Sequence, residues 1–201
     1  EGGEFVGLLM LIGLVGLGLF AWWLNKGKKE GRPTLIDPDL FHSKHFRLGI
    51  SGQMLQNIAL GGMMIAVPIY FQMVFEYSAM QTGLYLAPMS LSIFGISLLM
   101  GRIAGKRRAS RIIQAGFGLV LAGIVLLIAL IPRADSGLSF FMPLVVTGIG
   151  LGMLVSQLNN YTLAPISEER VSEAAGVNSA GYSFGLSLGL AFAGAIMLAV
   201  L

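Results

Sequence analysis

The chain has 201 residues, of which 55% are hydrophobic and only 11% charged, with a net charge of +3. Soluble domains carry about 25% charged residues, so this chain cannot clothe a globule in polar surface. Its basic residues sit in loops beside apolar runs, a membrane-topology signal rather than a nucleic-acid one, and the lack of cysteine excludes disulfides and thiolate chemistry.

Six charge-free apolar runs follow in order: 5–24, 48–75, 81–101, 112–131, 140–164 and 174–201. Each has the ~20 residues needed to cross a bilayer as a helix. In hydrocarbon every backbone polar group needs a partner, which leaves helices or a closed barrel. A barrel requires alternating ten-residue segments, and these runs are apolar on all sides. The sequence therefore predicts an all-α, polytopic transmembrane helical bundle of six spans. Trp22 and Trp23 form an aromatic belt at the end of the first run. That run lacks a basic leader and does not read as a signal peptide. Pro68 and Pro88 are expected to kink the second and third runs. A chain that opens without methionine and closes inside an apolar run reads as a piece of a longer protein.

The charges orient the runs. Loop 25–47 holds Lys26, Lys28, Lys29, Arg32, Lys44 and Arg47, and loop 102–111 holds Arg102, Lys106, Arg107, Arg108 and Arg111. Arg170 is the one basic residue of loop 165–173, and Arg133 alone lies on the other side. By the positive-inside rule, loops 25–47, 102–111 and 165–173 face the cytoplasm of a multi-pass protein in the cytoplasmic membrane. All acids also lie in loops or at helix ends, the nearest to a span being Glu76. An intramembrane acid is the usual proton relay, so any coupling acid is expected outside these residues.

Three polar or small-residue patterns stand out within the runs. Gln53, Gln56 and Asn57 share one helical face, either lining a substrate path or bonding between helices. In the fifth run, Gly148, Gly152, Ser156 and Asn160 recur every four residues. The glycines suit close helix contact, while Gln157 and Asn160 are path candidates. In the sixth run, Gly181, Gly185 and Gly189 form a ridge for a neighbouring helix or a slide plane between two states, with Asn178 and Tyr182 as further cavity candidates. His42 and His45 near Asp37 and Asp39 are too few for a metal site, so neither metal nor cofactor is expected. Leu40, Phe41 and Phe46 are expected to seat their segment at the membrane interface. No histidine lies in a membrane run, which argues against an intramembrane hydrolase and against an enzyme.

An ordered set of motifs carries a resemblance. It comprises Asp37-Pro38-Asp39-Leu40-Phe41, Gln81-Thr82-Gly83-Leu84-Tyr85-Leu86-Ala87-Pro88, Gly101-Arg102-Ile103-Ala104, Ala174-Ala175-Gly176-Val177-Asn178-Ser179 and Gly185-Leu186-Ser187-Leu188-Gly189. Together they resemble the fourteen-helix drug:proton antiporter branch of the major facilitator superfamily. The resemblance implies an additional linking helix in 1–24, a cytoplasmic linker in 25–47, and five spans of a C-terminal half-bundle in 48–201 whose last span is missing. It implies export of small amphipathic or cationic compounds against protons by alternating access, with membrane lipid and an N-terminal half as partners. Gly101, Arg102 and Lys106 are similar to the family's gating loop, but Gly105 stands where that loop has aspartate, and Arg108 where it has glycine. Loss of the aspartate leaves a topology anchor or a contact with anionic lipid as the other role. The competing expectation is a non-transporting helical membrane assembly or sensor module.

Overall fold

A computed structural model describes residues 38–103 and 108–200, with nine further residues between 12 and 26 (Ile12, Gly13, Val15, Gly16, Gly18, Leu19, Trp22, Trp23 and Lys26). Those nine are helical, and the Lys26 ammonium lies 5.1 Å from the centre of the Trp22 ring. The first expected span otherwise falls outside the described residues.

Among the described residues, five helices are long and apolar enough to cross a membrane. They are α1 (Lys44–Val74), α2 (Ala79–Ile103), α3 (Ala109–Leu130), α4 (Phe141–Leu163) and α5 (Val171–Val200). The described residues thus form an all-α polytopic bundle. Expected and observed ends differ by a few residues because helices continue past the hydrocarbon into polar sequence. α1 starts at Lys44, four residues before its apolar run, because the Ser43 hydroxyl accepts from the Phe46 N–H at 3.4 Å. α2 starts at Ala79 because Ser78 and Gln81 form a reciprocal cap. The Ser78 N–H donates to Gln81 Oε1 at 2.9 Å and the Gln81 N–H to Ser78 Oγ at 3.3 Å. α1 ends where Glu76 takes a left-handed φ of 53°, a conformation that costs a side chain about 1–2 kcal/mol. Pro68 and Pro88 lie inside continuous helices.

α4 is the hub, touching α1, α2 and α3, while α1 lies along α5. Glycines set the closest approaches. A Cβ on Gly148 would sit 2.5 Å from the Met89 carbonyl of α2, and one on Gly152 would sit 2.8 Å from that of Ile93. On the other flank, a Cβ on Gly61 would meet the Leu186 carbonyl at 2.5 Å, and one on Gly185 the Met54 carbonyl at 2.6 Å. Gly189 is similarly pressed against the Ile58 carbonyl. Small residues permit this contact, whose dispersion and polar terms hold helices together where lipid removes the hydrophobic drive. Outward-facing leucines and phenylalanines such as Leu84, Leu91, Phe94 and Leu98 of α2 are exposed.

The ends are sealed differently. At the end where α1 and α5 begin, here the basic end, Leu40 and Phe46 are buried with Ile50 and Ala174. This corrects the expectation that Leu40 and Phe46 seat at the membrane interface. The short 3-10 turn Pro38–His42 folds back onto the α4–α5 connection, so these side chains complete a protein core. Phe41 alone remains exposed, edge-on to Phe46 with ring centres 5.7 Å apart. The opposite end is closed by rings: Tyr70, Phe71, Phe75, Tyr77, Tyr85 and Phe140 touch one another, and Tyr77 stacks on Tyr85 at 4.8 Å.

Candidate functional site

Amides of three helices lie in the half of the bundle nearer the basic end. Gly49 of α1 abuts Thr162 of α4, Gly52 abuts Leu158, and Gly181 of α5 faces Ile50 and Met54. Gln53 and Asn57 follow within two turns on α1, Gln157 adjoins Leu158, and Asn178 precedes Gly181 by one turn. On the helical wheel, Gln53 and Asn57 fall between the strip of α1 that meets α4 and the strip that meets α5.

Burial is nearly complete: Asn57 is 0% exposed, Gln56 2%, Gln157 3%, Asn178 6% and Gln53 9%. The bonds made divide the set. The Asn178 amide donates to Asn159 Oδ1 at 2.9 Å, tying α5 to α4. Gln157 donates to the Met100 carbonyl of α2 at 3.4 Å and to Ser156 Oγ at 3.2 Å. Asn57 spends its donor on the Gln53 carbonyl of its own helix, at 2.8 Å. Four acceptors remain without a donor: Gln53 Oε1, Gln56 Oε1, Asn57 Oδ1 and Asn178 Oδ1. Buried polar atoms are nearly always paired, so this local shortage of donors is unusual.

Gln56 does not share the surroundings of its neighbours. It forms the polar wall of an otherwise apolar cleft of about 290 Å³ between α1, α3 and α4, lined also by Leu55, Ala59, Phe117, Val120 and Leu154. The expected three-amide face is therefore split. Gln53 and Asn57 lie between the α4 and α5 contacts, while Gln56 turns toward α3. Asn160 and Tyr182 are exposed and make no bond within the amide level. Asn159 was not among the expected residues; it lies off the four-residue stripe, and only its meeting with α5 reveals it. Gly101 and Arg102 are exposed at the end of α2, and Lys106 lies outside the described residues. His42 pairs with Asp39 at 3.4 Å, His45 lies against the Tyr161 ring, and no metal-binding cluster occurs among the described residues.

This arrangement holds neither nucleophile nor general base; its chemistry is hydrogen bonding in a dry interior. Comparison with known proteins agrees with a transport role. The family model for the Major Facilitator Superfamily matches residues 5–199. The "Probable actinorhodin transporter" of Streptomyces coelicolor is 22% identical over 96% of this chain and 34% of its own length. The "Multidrug resistance protein Stp" of Mycobacterium tuberculosis is 25% identical over 92% of this chain and 33% of its own length. The "Probable transport protein HsrA" of Haemophilus influenzae is 24% identical over 96% of this chain and 39% of its own length. The chain thus spans between a third and two-fifths of the length of these relatives.

Proposed function

Because the chain belongs to the major facilitator superfamily, a family of multi-pass membrane transporters and not of enzymes, we propose that it is the C-terminal portion of an exporter of small amphipathic or cationic compounds. Residues 1–24 supply a linking helix of the fourteen-helix arrangement, and residues 25–47 a cytoplasmic linker. Residues 48–201 supply five spans that work against an N-terminal half by alternating access. Gln53, Asn57 and Asn178 line the substrate path. Gln157 holds α4 against α2 beside it, and Asn160 and Tyr182 face the partner half. Gly101, Arg102 and Lys106 form the gating loop. The acid that couples export to protons belongs to the rest of the polypeptide, since every acid here lies at a helix end or in a loop.

One observation carries the reading. Gln53 and Asn57 bury carbonyl oxygens that find no donor, on a helix long and apolar enough to cross a membrane. Amides kept only to join helices find partners, because an unpaired buried acceptor costs about 1–3 kcal/mol. Acceptors left free suit a guest that brings its own donors, such as water or an N–H-bearing substrate. The names of the multidrug-resistance and transporter relatives support the same substrate class.

The test is ethidium efflux from cells expressing the full-length protein. Expected are energy-dependent efflux, its loss when a protonophore collapses the gradient, and at least a threefold lower rate for Asn57→Leu at equal expression. Efflux unaffected by the protonophore removes the antiport mechanism. Undiminished efflux by Asn57→Leu and Gln53→Leu removes the amide path.

A further inference from the structure

We propose that the turn Pro38–His42 is a latch: Leu40 plugs the basic end of the path lined by Gln53, Asn57 and Asn178, and the turn lifts to open it. The proposal rests on the reading of those residues as a substrate path. Three observations carry it.

The first is how the turn is held. Leu40 is 3% exposed, in a socket built by Phe46 and Ile50 of α1, Leu163 and Ile166 at and just beyond the end of α4, and Ala174 and Val177 of α5. Its neighbours Asp39, Phe41 and His42 are exposed, so of these four side chains Leu40 alone enters the core. Burial of one leucine shifts an equilibrium by roughly ten- to a hundredfold. That is enough to keep the turn seated and small enough to be reversed in a transport cycle.

The second is a polar cleft of about 250 Å³ beside Leu40. It lies between Asp39 and Ser43 on one side and Pro165, Ser167 and Arg170 on the other. A polar space of this size admits water, so on that side the turn lifts without breaking a dry seal. The opposite end of the bundle is built differently. There Phe71 of α1 meets Tyr85 of α2 and Phe140 of the α3–α4 connection, ring against ring.

The third is what lies behind the plug. On α1, Phe46, Gln53 and Asn57 are seven and four residues apart and share one face. On α5, Ala174 precedes Asn178 by one turn, and on α4, Leu163 follows Asn159 by one turn. Each wall of the socket therefore leads, within two turns, to an amide. α4 and α5 touch only lightly, and the next tie between them going inward is the Asn178–Asn159 bond of 2.9 Å. Leu40 thus stands between the solvent at the basic end and the unpaired oxygens of Gln53, Asn57 and Asn178.

The test uses the full-length protein, otherwise free of cysteine, with Leu40→Cys and Ala174→Cys together. A short, membrane-permeant bifunctional thiol reagent with a reducible link ties the turn down in cells. A clasp that only stabilises the fold tolerates being tied, whereas a latch does not. The expected result is ethidium efflux at least fivefold slower after joining and restored by reductant. Undiminished efflux from the joined protein overturns the proposal, because the turn then stays seated throughout the cycle. A second measurement is independent of any transported compound: the distance between nitroxides on His42→Cys and Ser110→Cys, both exposed sites at the basic end. Rocking of one half of a transporter against the other leaves this distance unchanged. The expected result is two populations, the minor one enlarged at least threefold by Leu40→Ala. A single population, or two that Leu40→Ala does not shift, overturns the latch. Absence of ethidium efflux before joining removes the exporter reading for that compound, and the distance measurement then decides the latch alone.

Discussion

Glycines in this bundle fall into two populations that composition cannot separate. A Cβ on Gly185 would lie 2.6 Å from the Met54 carbonyl oxygen, whereas one on Gly95 would meet nothing within 4 Å. The first obstacle is backbone in a continuous helix, so one of the two helices must shift; overpacking of this kind costs about 1–3 kcal/mol. The second site gains from replacement, since glycine is about 1 kcal/mol worse than alanine in a helix interior. In thermal unfolding of the full-length protein, Gly185→Ala is therefore expected to lower the midpoint, and Gly95→Ala to leave it unchanged or raise it. Equal effects would remove the close α1–α5 contact from the account of stability. The Asn178–Asn159 bond belongs to the same level of detail. Interhelical bonds in membranes contribute on average about 0.6 kcal/mol, so its main effect is to fix the register of α5 on α4 rather than to hold the bundle together.

Where each helix begins and ends is decided by polar sequence outside the apolar run. The reciprocal bonds of Ser78 and Gln81 satisfy two N–H groups that the first turn of α2 leaves free. Ser78→Ala removes one of them, a loss of about 1 kcal/mol. Amide hydrogen exchange at residues 79–82 of the full-length protein should then quicken about fivefold, with α3 unaffected. Unchanged exchange would show that neighbouring contacts, not the cap, hold this turn. The existence and order of the five described spans were legible in the sequence because an uncharged apolar run of this length has few other stable states in water or lipid. The start of α1 was less legible, since Lys44, His45 and Arg47 read as linker until Ser43 is seen to cap the helix. The burial of Leu40 was not legible at all. A Leu-Phe pair among charges has the same pattern whether it dips into lipid or folds onto its own bundle, and only the α4–α5 connection distinguishes them. The amide face was half legible: helical periodicity groups Gln53, Gln56 and Asn57, but the position of α3 turns Gln56 away from the other two. Asn159 meets Asn178 across two helices, a relation no single periodicity contains.

Orientation links these local features to a direction of transport. The helices place residues 44, 103, 109 and 171 toward one end of the bundle and residues 74, 79, 130 and 141 toward the other. Arg133 is the one Lys or Arg in the connections of the second end, while the first collects Lys44, Arg47, Arg102, Arg108, Arg111 and Arg170 among the described residues. Lysine and arginine near span ends resist translocation, so such a bias sets the topology during insertion. The basic end is therefore expected in the cytoplasm, which places the amide level in the inner half of the bilayer and the aromatic cluster of Tyr77, Tyr85 and Phe140 at the outer rim. Ser110 and Ser139 are exposed at opposite ends and take no part in caps, so cysteines there report orientation without altering the fold. A membrane-impermeant maleimide added to intact cells should label Ser139→Cys and leave Ser110→Cys unlabelled until the membrane is opened. The reverse pattern would place the amide level in the outer half, facing the compartment into which an exporter discharges. The unpaired oxygens of Gln53 and Asn57 would then sit at the release end of the path rather than at its cytoplasmic end.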